Sequence, residues 1–141
     1  MEPTLTVGEK LFVNRGIYKV SSPERGDIIV FKTNGSDEAA LHIGRVIGLP
    51  GERVRIDEQG NIFINDELLK ESYGYERMEY AGLAAEEIQL GDDEYFVLGD
   101  NRNVSEDSRY PDVGNIKRSN IIGRAWLRIY PFSEFGLLTD R

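Results

Sequence analysis

Residues 42–66, "HIGRVIGLPGERVRIDEQGNIFIND", decide the fold class. The run from His42 to Gly48 is apolar and rich in β-branched residues, the composition of a strand that lies inside a protein. "LPGE" then turns the chain. Beyond it Val54 and Ile56 alternate with charged residues, and Ile62 and Ile64 repeat the alternation after "EQG". Alternation with a period of two on both sides of a glycine-containing turn predicts a hairpin. Val54 and Ile56 share one face of it, and so do Ile62 and Ile64.

The same vocabulary extends outward in both directions. Upstream, "KLFVN" (10–14) is a short strand stopped by "RG", and "RGDIIVFK" (25–32) is a turn feeding a buried strand. "NGSDEAA" (34–40) reads as a loop. Downstream, "EYFVLGDN" (94–101) is a strand ending in a turn. "NIIGRAWLRIYPF" (120–132) is the last long strand, with Gly123 a bulge or a point of close approach. Residues 67–90 are less regular; "AGLAAEEI" (81–88) suggests a short helix on weak apolar spacing. Short strands joined by glycine-rich turns predict a mainly β domain of antiparallel strands. We read residues 1–141 as one domain, with a small β cap or insert within about residues 55–92.

Composition narrows the function. The chain has 141 residues, 40% of them hydrophobic, which suits a single domain with a real core. A formal charge of −8, spread along the chain, argues against a nucleic-acid partner or an anionic membrane surface. There is no cysteine and a single histidine, His42, so disulfides, thiolate catalysis and multi-histidine metal sites are excluded. No apolar run approaches the ~18 residues of a membrane span. Asp92, Asp93 and Glu94 lack metal-ligand spacing, and no metal or cofactor is expected.

Four stretches, in order, carry a family resemblance: "MEPTL" (1–5), "RGDIIVF" (25–31), "GRVIGLPGE" (44–52) and "GDNRNVSEDSR" (99–109), followed by "GRAWLRIYPFSEF" (123–135). Together they resemble the bacterial type I signal peptidases, whose fold is shared with LexA-like proteins. That resemblance implies a serine nucleophile activated by a lysine kept neutral through burial among apolar side chains. It also implies an oxyanion held by backbone N–H groups and a hydroxyl, and a substrate lying extended against β edges.

Carried over residue by residue, the pattern has gaps. The serine belongs immediately before Met1, and the lysine position holds Gly44, which has no side chain to accept a proton. Ser105 matches the serine that hydrogen-bonds the lysine. Asp107 and Arg109 match a structural ion pair. Met1, Pro3, His42, Gly44 and Ser105 are expected to line a peptide-binding cleft, widened by the volume that Gly44 leaves empty.

On these grounds the sequence is most similar to the catalytically inactive relatives that assist Gram-positive pilus assembly. The expectation is a non-catalytic chaperone that holds a pilin subunit or presents it to a sortase. It would sit at the outer face of the cell membrane, on an N-terminal helix that these residues do not contain. The alternative is an active type I signal peptidase whose nucleophilic serine lies just before Met1 and whose base is His42 or another group. His42 shares a strand face with Gly44, and a neutral imidazole suits that role, but the two Cα atoms are separated by ~6.6 Å along the strand. Tyr73, Tyr75 and Tyr80 are candidates for a partner surface or for covering the core.

Overall fold

The computed structural model describes residues 10–33, 41–70, 78–103, 107–130 and 136–137. Eleven strands organise them: β1 (Lys10–Asn14), β2 (Ile28–Lys32), β3 (Leu41–Gly48), β4 (Arg53–Ile56), β5 (Ile62–Ile64), β6 (Glu67–Leu68), β7 (Ile88–Gln89), β8 (Glu94–Leu98), β9 (Ile116–Lys117), β10 (Ile121–Tyr130) and β11 (Gly136–Leu137). Three short 3-10 turns, at Ile17–Lys19, Gly82–Ala85 and Arg118–Asn120, complete the described elements.

The strands form two antiparallel sheets. The larger runs β1-β10-β2-β3-β8-β9, with β11 also paired to β10, and the smaller runs β6-β5-β4-β7. The fold is mainly β, as the strand vocabulary predicts. In the smaller sheet Val54 faces Ile64 and Ile56 faces Ile62, so the two apolar pairs of the hairpin meet across the strands. All four are buried, in one cluster with Ile47, Phe96 and Leu98 of the larger sheet and with Leu90, which follows β7. Burying each such side chain contributes about 1.5–3 kcal/mol before its ordering cost is subtracted. The patterning of residues 53–64 therefore determines how the two sheets meet.

One turn lies outside the sequence expectations, and one expected helix shortens to a single turn. Asn65 and Asp66 both have positive φ, 50° and 69°, which makes a two-residue turn of the kind that closes tight hairpins between β5 and β6. The Asn-Asp pair was the available signal. "AGLAAEEI" is not a helix of useful length: Gly82–Ala85 form one 3-10 turn and Ile88–Gln89 then pair with β4. Its only buried residue is Ala84, too little apolar surface to hold a longer helix. Gly123 meets both expectations. It lies at a register shift between β10 and β2, and a Cβ there would fall 2.5 Å from the Asn14 carbonyl oxygen.

The turns around β3 are held by ion pairs. Arg25 donates from Nη1 and Nη2 to the two carboxylate oxygens of Glu52, at 2.8 and 2.7 Å, and from Nη1 to the Ile47 carbonyl. Glu52 also accepts the Leu49 N–H at 2.7 Å, so one carboxylate shapes the "GLPGE" turn. Asp27 accepts the Tyr18 hydroxyl and the Glu24 N–H, which closes "PERGD" in the same way. Burial, then the hydrogen bond to Asp27, push the Tyr18 hydroxyl well above its ordinary pKa.

Burial works to raise the pKa of Glu52, but the hydrogen bonds from Arg25 and Leu49 outweigh it and hold the carboxyl below its usual value. A depressed carboxylate stabilises the fold fully above its unfolded pKa, and that contribution is lost as pH falls through the folded value. Glu52→Gln is therefore expected to flatten the acid side of the stability–pH curve. Urea unfolding midpoints from neutral to acid pH read this directly, and equal slopes in the two proteins would refute it.

Candidate active site

Strand β3 carries the site. Alternation sends His42, Gly44 and Val46 to one face of the large sheet and Ile43, Arg45 and Ile47 to the other. Gly44 is buried and pairs with Ile29 of β2. A Cβ on Gly44 would fall 2.4 Å from Val97 Cγ1, 3.5 Å from Phe31 Cε1 and 3.4 Å from the Leu98 carbonyl oxygen. The lysine position of the family pattern is thus a dry niche between Phe31 and Val97. The expectation that Gly44 leaves an empty, widened cleft is wrong here: the Val97 methyl group has closed over the glycine.

His42 is half-buried and opposite Phe31 in the β2–β3 register. Its imidazole stacks on the Phe31 ring, with centroids 5.6 Å apart and planes at 21°. The same phenyl ring bounds Gly44. One aromatic side chain therefore brings the histidine and the lysine position together, despite their separation along the strand. On the other face Val30 and Ile43 are half-buried beside buried Ile28 and Ala125, a shallow apolar floor.

Arg45, next to Gly44, is the feature the sequence reading passed over. Its side chain is 1% exposed and pairs with Asp100, 0% exposed, through Nε–Oδ1 at 3.0 Å and Nη2–Oδ2 at 2.8 Å. Nη1 donates to the Gly26 carbonyl. An arginine inside an apolar strand, with "GDN" later in the chain, was the signal: a charge in that setting needs a buried partner.

Asp100 opens the last box, whose described parts are equally fixed. Arg109 is fully buried and donates from Nε and Nη2 to Asp107, at 2.8 and 2.9 Å. Asp107 also accepts the Gly99 N–H, and the Ser108 hydroxyl accepts the Val97 N–H. Asp107 and Arg109 are thus one hydrogen-bonded unit that closes the box onto β8. Met1, Pro3 and Ser105 lie outside the described residues, as do Tyr73 and Tyr75. Tyr80 is largely exposed and lies against the Tyr110 ring.

Among the described residues no group of three His, Cys, Asp or Glu is placed to hold a metal ion. A concavity of about 280 Å³ lies between Arg25, Glu52, Asn65 and Leu68, and neither Gly44 nor His42 lines it.

Comparison with known proteins places this geometry. The pattern of the family "Signal peptidase, peptidase S26" matches residues 1–130, and the chain belongs to that family. It is 40% identical to the "Probable signal peptidase I-2" of Synechocystis sp. over 99% of its own length and 63% of that protein's. It is 36% identical to "Signal peptidase I P" of Bacillus subtilis subsp. natto, covering 95% of this chain and 74% of the relative. A crystal structure of a signal peptidase I from Enterococcus faecalis superposes with a TM-score of 0.58 at 32% identity, over 72% of this chain and 95% of that one.

These relatives correct the reading as a non-catalytic pilus-assembly factor. They carry the name signal peptidase I across the whole chain, and none of them points to a pilin, a sortase or an inactive subtype.

The niche makes a packing prediction. Gly44→Ala is expected to cost about 1–3 kcal/mol, because Val97 must move out of a filled core. In Gly44→Ala/Val97→Ala the two costs should add to less than their sum by about 1 kcal/mol. A double-mutant cycle in urea measures this, and strict additivity would show that Val97 does not close the niche.

Proposed function

We propose that this chain is the catalytic domain of a type I signal peptidase, a serine endopeptidase that removes signal peptides from exported proteins. The observation that carries the reading is identity of 35–40% to signal peptidases over 95% or more of the chain. The buried Arg45–Asp100 and Asp107–Arg109 pairs support it, because they sit within the boxes that define the resemblance.

In this reading the nucleophile is a serine at the position before Met1. Its proton goes to His42, since Gly44 offers no acceptor. His42 suits the role because it shares the Phe31 ring with the lysine position, and an imidazole nitrogen can accept a proton. The hydroxyl oxygen then attacks the scissile carbonyl, and the histidine returns the proton to the leaving amine. We assign Ser105 to orienting the base, as the box serine does in the family pattern. The site of action is the outer face of a membrane.

Cleavage of a pre-protein by the full-length protein, with serine at the position before Met1, tests the reading. Wild type is expected to cleave, and His42→Ala to lose at least 10²-fold in kcat, the contribution typical of a positioned general base. If wild type is inert and Gly44→Lys alone restores cleavage, both the base and the activity assigned here are wrong.

A further inference from the structure

Between β6 and β7 the chain leaves the small sheet and returns, and on the way residues 79–83 touch the last box at several points. The Glu79 N–H donates to Asn103 Oδ1 at 2.9 Å. The Tyr80 carbonyl accepts from Arg109 Nη1 at 2.9 Å, and the Leu83 N–H donates to the Arg109 carbonyl at 2.8 Å. The Tyr80 ring packs on Tyr110, with centroids 5.0 Å apart. Gly82 has φ +56°, and a Cβ there would fall 2.2 Å from the Arg109 carbonyl oxygen.

The segment is seated at both ends. Met78 is 4% exposed and Ala84 is 0% exposed, and both belong to the core shared by the two sheets. Gly60, in the turn between β4 and β5, presses on the backbone of Met78. The strap is thus anchored in the cap, and its middle grips the box. Arg109 needs that grip: its guanidinium is buried, and the Tyr80 carbonyl takes an N–H that Asp107 and the Arg102 carbonyl leave. The strap thus shares one buried guanidinium with Asp107, which in turn accepts the Gly99 N–H.

We infer that residues 79–83 form a clamp by which the cap sheet positions the last box, with Gly82 as the positioning residue that allows the close approach. The effect on catalysis rests on the peptidase reading above; the effect on the box does not.

Amide hydrogen exchange on the full-length protein separates the two. Gly82→Ala is expected to raise exchange at the Ser108 and Arg109 amides at least tenfold, with β2 and β3 amides unchanged. Gly114→Ala is the control, because Gly114 also has positive φ (+61°) but nothing within 4 Å of its Cβ position. If the two variants expose Ser108 and Arg109 equally, or if Gly82→Ala leaves them protected, the clamp does not exist. Should Gly82→Ala fail to fold, Asn103→Ala decides instead: it should raise exchange at Glu79 and Ser108 by about threefold or more, and unchanged protection overturns the clamp. In the serine-bearing protein Gly82→Ala should lower kcat at least tenfold at constant KM, and Gly114→Ala should not. Intact catalysis in Gly82→Ala would overturn the positioning role, whereas loss of protection in a protein that never cleaves would refute only the peptidase reading.

Discussion

The ion pair between Arg45 and Asp100 is the constraint on which the site depends. Both groups are almost wholly removed from water, and a charge so placed is strongly unfavourable unless its partner is held in good geometry. Two parallel hydrogen bonds meet that requirement, and the Gly26 carbonyl occupies a further donor. The result is mechanical. The strand that carries His42 and Gly44 is fastened to the first residues of the last box, and the turn before β2 is fastened to that strand.

The same strand carries the position at which the family pattern has a lysine and this chain has Gly44. The niche at Gly44 is made by Phe31, Val97 and the Leu98 backbone, all buried elements of the large sheet. Removing a lysine from such a niche frees apolar volume, and a neighbouring methyl group fills it, because packed interiors do not keep voids that a small rotation can close. His42 borders the same wall through Phe31.

The second sheet is more than a lid on the core. Its hairpin buries Val54, Ile56, Ile62 and Ile64 against the large sheet, and its excursion at residues 78–84 returns to grip Arg109. Packing and positioning are therefore coupled: the apolar contacts that hold the cap in place also set where the last box lies.

The sequence by itself determined the mainly β class, because period-two patterning in residues 53–64 and β-branched runs in residues 28–31 and 43–47 are local properties that a strand satisfies alone. It also determined the family, through four ordered boxes. It did not determine the Arg45–Asp100 pair, the closure of Val97 over Gly44, the contact of His42 with Phe31, or the strap on Arg109. Each joins residues 11 to 55 positions apart, and the length of chain between them carries no distance information. Only the folded sheets set those distances. They also showed that the gap at Gly44 is a packed niche, the opposite of what the missing side chain suggests when read along the chain.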